Sequence, residues 1–133
     1  MVILDKETEI KELLKIAKRR LSYASSTVQA GHYDIAVHDY YLVVFYLMKA
    51  FTLNEGFAGP KRAGYVAAFH RLIVKENKVP RSYGRLVHQL SERAIQGMYK
   101  YRHITRAEAL SFGRFSAEFA DLAQSRLAAV TGV

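Results

Sequence analysis

Residues 33–51, YDIAVHDYYLVVFYLMKAF, decide the fold. Ala36, Val37, Tyr40, Tyr41, Val44, Leu47, Met48 and Phe51 recur at steps of three and four, the period of one helix face. Leu42, Val43, Phe45 and Tyr46 cover much of the remaining circumference, and a helix apolar nearly all round is buried on several sides. The unbroken apolar run, residues 40–48, falls far short of the roughly 20 residues a bilayer requires. Asp34, Asp39 and Lys49 stand close by. The stretch therefore predicts the central helix of an all-α domain, with other helices as its neighbours and no membrane around it.

Upstream, residues 6–30 predict a first helix whose stripe is Ile10, Leu13, Leu14, Ala17, Leu21, Ala24 and Val28. Asp5, Glu7 and Glu9 favour the positive end of its dipole. Gly31 stands where a left-handed residue would end it. Downstream, Glu55-Gly56-Phe57-Ala58-Gly59-Pro60 reads as a loop. A third helix is expected over residues 61–76, with Tyr65, Ala68, Phe69, Leu72 and Ile73 on one face, broken by Asn77 and Pro80. A fourth is expected over residues 82–101, with a stripe of Leu86, Leu90, Arg93 or Ala94, Gly97 and Tyr101 flanked by Val87 and Ile95. Gly97 costs roughly 1 kcal/mol in a helix interior relative to Ala, which calls for close packing or a bend. Thr105-Arg106-Ala107-Glu108 is a capping box that opens a fifth helix, from which Phe112, Phe115, Phe119, Leu122 and Leu127 face the core. Few strand signals occur. The expected fold is an antiparallel up-and-down helical bundle, four long helices with room for a short fifth, forming one domain over residues 1–133.

The chain of 133 residues has no cysteine, which excludes disulfides and thiolate metal sites and suits a reducing cytoplasm, the expected location. Its opening residues carry no signal-peptide pattern. The net charge of +8 is unevenly placed: residues 1–60 hold seven basic and seven acidic side chains, whereas residues 61–107 hold 11 basic and 2 acidic. Such asymmetry favours an anionic partner, either nucleic acid, a nucleotide or an acidic protein.

Metal chemistry lacks ligands. A di-iron bundle needs Glu-x-x-His pairs on facing helices, and only the isolated His88 and Glu92 share a helix face. Gly56-Phe57-Ala58-Gly59 lacks the Gly-Lys-Ser/Thr ending of a phosphate loop, and no Gly-x-Ser-x-Gly elbow occurs. No metal and no cofactor are expected. The cluster that remains lies at the end of the fourth helix: Arg93, then Met98-Tyr99-Lys100-Tyr101-Arg102-His103. Arg85, Arg93, Lys100 and Arg102 suit phosphate binding, and Tyr99 and Tyr101 suit stacking on bases. His103 could serve as acid or base, as histidine often does, with Arg93 and Arg102 holding phosphate, so these three are the catalytic candidates. The plainer alternative is that cations at a helix C-terminus offset its dipole while the tyrosines half-bury. Tyr- and Phe-rich faces on the second and fifth helices predict a homodimer.

These residues resemble the HEPN-domain proteins, small all-α proteins found beside minimal nucleotidyltransferases and among ribonuclease toxins. The resemblance spans residues 17–129. Gly31-His32-Tyr33-Asp34-Ile35-Ala36-Val37 resembles the family's Gly-x-Tyr-x-x-Ala-Val turn, and Tyr41, Phe45, Lys49 and Ala50 match its next block. Gly64 and Phe69 resemble the third-helix pattern; Tyr83-Gly84-Arg85-Leu86, Glu92-Arg93 and Tyr99 resemble the fourth; residues 105–109 resemble the capped start of the last. The resemblance implies a helical bundle whose pairs bring their fourth helices together, a nucleotidyltransferase partner, and a tyrosine near this motif that such a partner modifies. Active ribonucleases of the family carry Arg followed at a short, defined spacing by His. Counted from Arg93, that position falls on Met98, Tyr99 or Lys100. Arg81 and His88 meet the spacing only at the start of the fourth helix. Three functions follow as expectations. The first is a module that binds nucleotide, RNA or a partner nucleotidyltransferase with little or no catalysis. The others are an active metal-independent ribonuclease toxin and a structural protein–protein interaction module.

Overall fold

The computed structural model describes residues 5–100 and 102–131, with side-chain surroundings given for 5–100 and 102–127. It is an all-α bundle: α1 (Lys6–Gln29), α2 (Tyr33–Asn54), α3 (Arg62–Phe69) continued by a π-helical turn (His70–Val74), α4 (Ser82–Tyr99) and α5 (Arg106–Thr131). Four helices are long and α3 is the short one.

Local chemistry sets the helix ends. Asp5 caps α1 by accepting from the Thr8 amide at 2.8 Å. At its other end Gly31 takes φ +87°, and the Gly31 and His32 amides donate to the Val28 and Thr27 carbonyls at 2.9 and 3.1 Å. That is a complete Schellman closure, which needs the left-handed region glycine reaches freely. It turns the chain straight into α2.

α2 is the centre, packing against α1, α3, α4 and α5. Ala36, Val37, Val43, Val44, Leu47, Met48 and Ala50 are all essentially closed to solvent. Because α2 is apolar nearly all round, four neighbours are required to bury it. The aromatic residues of α2 and α5, expected to leave a surplus for a partner, are instead largely used within the chain. Phe119 meets Phe51, Phe69, Phe115 and Tyr83 with ring centroids 5.0–5.9 Å apart. Tyr41 and Phe45 lie under the Arg62 guanidinium at 5.8 and 5.0 Å, and Lys49 sits between the Tyr65 ring and Glu9.

Three expectations are corrected. The third helix leaves α geometry at Phe69 and widens into the π turn, where the Lys75 amide reaches the His70 carbonyl at 3.0 Å. The buried stripe of α4 runs through Tyr83, Val87, Leu90, Ala94 and Gly97, so Ile95 faces solvent. α4 also ends at Tyr99, short of residue 101.

Candidate functional site

α2 and α4 are antiparallel, so the Gly31 turn and the start of α2 lie beside the last turn of α4. Gly97 makes the approach: a Cβ there would lie 3.0 Å from Ile104 Cγ1 and 3.5 Å from Asp34 Cβ. Close packing, rather than a bend, accounts for this glycine. Ile104 is buried and pins the segment that links α4 to α5. The Lys100 and Arg102 amides both donate to the Gln96 carbonyl, at 3.2 and 3.0 Å, folding that segment back over the helix end.

Arg93 fixes the segment from the other side. Its Nε and Nη2 grip the Glu108 carboxylate at 2.7 and 2.8 Å, Nη1 donates to Gln96 Oε1 at 2.6 Å, and Nη2 also donates to the His103 carbonyl at 3.0 Å. Glu108 is the far end of the capping box: its Oε1 accepts from the Thr105 amide at 3.2 Å, while its own amide donates to Thr105 Oγ1 at 3.1 Å. The Arg93 hydrogen bonds, with help from Thr105, hold the Glu108 carboxyl below its ordinary range against an opposing push from burial. A bidentate guanidinium–carboxylate pair is geometrically demanding, and here it ties α4, the linking segment and α5 together.

The result is a cavity of about 390 Å³ whose wall includes Tyr33, Asp34, Arg102 and His103. Arg102 and His103, named from the sequence, are thus brought together. Arg93 lies behind them with most of its donors engaged within the chain. Lys100 and Tyr99 are exposed at the same end of α4, Tyr99 to 70%. Arg85 is exposed two helical turns before Arg93, about 12 Å along the axis, and stands apart from this cavity. Tyr101 lies outside the described residues. Asp34 and Tyr33 were missed as site residues; the only signal for them was the turn motif that begins at Gly31.

Among the described residues Lys100 and Arg102 make no ion pair, and the His103 imidazole makes no hydrogen bond, although Asp34 shares its cavity. His88 Nε2 is 3.4 Å from Glu92 Oε1 on the exposed face of α4, and no group of three or more His, Asp or Glu side chains that could hold a metal ion converges among the described residues. No helix among them is long and apolar enough to cross a membrane.

The chain is 30% identical over 95 residues to a UPF0332 protein of Thermotoga maritima, covering 71% of this chain and 72% of that one. It is 31% identical over 83 residues to a Methanocaldococcus jannaschii protein named "Putative toxin MJ0605", covering 62% of each chain, so that match spans less than two thirds of the relative's length. The profile of the family described as HEPN domain matches residues 10–126, nearly the whole bundle from α1 to α5, and the chain belongs to that family.

Proposed function

We propose that this HEPN module binds RNA at the end of α4, with slow or no turnover. Arg102 and Lys100 hold backbone phosphates and Tyr99 offers a ring for a base to stack on. The observation that carries the reading is Arg102 in the wall of the cavity at the α2–α4 junction, with Tyr99 and Lys100 exposed at the same end of α4. Arg93 is assigned a positioning role, since a phosphate could take its guanidinium only by displacing Glu108. Efficient cleavage needs an oriented acid or base as well as charge, and among the described residues no hydrogen bond orients the His103 ring. The expected assembly is a homodimer, supported by Ile95, Met98 and Tyr99, which expose 48%, 36% and 70% of their surfaces on the last turns of α4. The same exposure would present the Tyr99 hydroxyl to a partner nucleotidyltransferase. Binding of single-stranded RNA measured by fluorescence anisotropy across a salt series tests the cleft. Each lost phosphate contact should reduce the slope of log K against log salt by about 0.7. Lys100→Ala with Arg102→Ala should lower both affinity and slope; unchanged values would remove this reading.

A second reading, a metal-independent ribonuclease, is favoured by one observation: Asp34, Arg102 and His103 line the same cavity. RNA bound there could draw the His103 ring toward Asp34. The toxin name of one relative supports it. Rapid cleavage in EDTA that disappears in His103→Ala, with binding retained, would replace the first reading by the second.

A further inference from the structure

A second cavity lies at the far end of α4 from the proposed RNA cleft, about 27 Å away along that helix. Its volume is about 550 Å³, and it sits between the π-helical turn and the start of α4. Arg71 comes from the π turn, Lys75 from the residue that follows it and Arg81 from the residue before α4. All three are exposed, none forms an ion pair among the described residues, and no carboxylate lines the cavity. Ala67 and Val74 supply apolar wall, and His70 completes it.

Several local preferences are broken at this one place. A π turn is uncommon and concentrates at functional sites. α4 starts with Arg81 at its N-cap, with no side-chain cap and no acidic residue in its first turn. A cation at the positive end of a helix dipole is unfavourable, and Arg71 and Lys75 add to the repulsion. The His70 ring is also seated by design of the backbone: a Cβ on Gly84 would lie 3.2 Å from its Nδ1, and the ring stands nearly edge-on to Phe69 at 6.0 Å. Local conflicts that cluster without an internal remedy mark places where a ligand supplies it. Here the missing component is negative charge.

We propose that this notch binds a small organic phosphate, with Arg71, Lys75 and Arg81 on the phosphate and Ala67, Val74 and the His70 ring against its carbon skeleton. Guanidinium groups match phosphate oxygens in pairs, and the α4 N-terminus adds its dipole. The volume lies within the range of small-molecule sites, about 300–1,000 Å³. A bare phosphate would leave most of it to water and would make no use of the apolar wall. The phosphate monoester is the shared chemistry of a free metabolite and of the 5′ end of an RNA strand.

Isothermal titration of the full chain with inorganic phosphate, ribose 5-phosphate, adenosine monophosphate and matched RNA oligomers with 5′-phosphate or 5′-hydroxyl ends tests the site. At least one organic phosphate should bind more tightly than inorganic phosphate. The oligomer pair tells a strand end from a free metabolite. Arg71→Ala with Lys75→Ala should weaken that binding about tenfold or more, as should Arg81→Ala. Lys6→Ala with Lys11→Ala removes equal charge from α1 and should leave it unchanged. All these side chains are exposed, so the variants should remain folded, which circular dichroism verifies. Absence of binding at millimolar ligand, a preference for inorganic phosphate, or equal losses in both double variants would overturn the proposal.

Discussion

Arg93 and Glu108 show how a charged residue on a basic surface can be structural. The Arg93 side chain is three-quarters covered and its donors go to three acceptor groups within the chain. Hydrogen bonds to charged groups contribute about 1.5–3 kcal/mol each when partly buried, less under solvent screening. Arg93→Ala should therefore destabilise the protein by about 1–3 kcal/mol, and Arg93→Lys should recover only part, because an ammonium cannot grip both carboxylate oxygens. Thermal melts would detect both. Glu108 also fixes a pH response. Its carboxyl is held below the ordinary range, chiefly by the Arg93 hydrogen bonds, so the fold favours its ionised form. That stability is fully present above the unfolded value, about 4.3, and is lost as pH falls through the lowered folded value. Glu108→Gln should narrow its stability difference from the wild type as the solution is acidified through this window; a constant difference would show that ionisation of Glu108 is irrelevant. The capping box was legible from four consecutive residues. Its Arg93 partner was not, because the contact joins residues 15 apart whose meeting depends on how α4 and α5 pack. For the same reason Asp34 entered the site only once the fold was known.

At the scale of elements, periodicity read α1, α2 and α5 well because each has an uninterrupted pattern. α2 should be the least tolerant of change. Leu47 is 1% exposed, so Leu47→Ala should cost about 2–5 kcal/mol, and Leu47→Asp should prevent folding by burying an unpaired carboxylate. A folded Leu47→Asp protein by circular dichroism would mean that α2 is not the centre of the bundle. Gly113 on α5 offers a test of the α2–α5 contact: a Cβ there would lie 2.7 Å from the Tyr40 hydroxyl oxygen, and Tyr40 is buried. Gly113→Ala gains about 1 kcal/mol of helix propensity but forces Tyr40 aside, so overpacking of about 1–3 kcal/mol should leave the melting temperature lower. The π turn escaped the sequence because Leu72 and Ile73 continue the helical stripe of Tyr65, Ala68 and Phe69. One wider turn shifts register by a single residue, less than a pattern of this length resolves. The α4 stripe was misplaced for a related reason: Tyr83, Leu86, Val87 and Ile95 offer more apolar positions than one face can bury, and only packing against α2 chooses among them.

At the scale of the whole molecule, part of the basic excess gathers at the two ends of α4. Lys78 is neutralised by Glu55, Arg93 by Glu108, and Arg62 lies over aromatic rings. Arg71, Lys75 and Arg81 stand at one end and Lys100 and Arg102 at the other, while Lys61, Arg85 and Arg106 are exposed outside both groups. The exposed apolar residues Ile95, Met98 and Tyr99 adjoin the second group. If two copies meet there, each contributes its Lys100 and Arg102 to a shared cleft, and local anion concentration rises with the focused potential. Dimer formation and RNA affinity should then fall together. Ile95→Asp with Met98→Asp places like charges across the contact, so sedimentation should show a monomer and RNA binding should weaken. Because both side chains reach solvent, the stability of the monomer in dilute solution should change by no more than surface substitutions usually allow, about 0.5 kcal/mol each. A wild type that sediments as a monomer at micromolar concentration removes the dimer and leaves a single-copy cleft. A variant that remains dimeric moves the contact off α4, to a face where Tyr23 or Ile35 is exposed, and separates assembly from RNA binding.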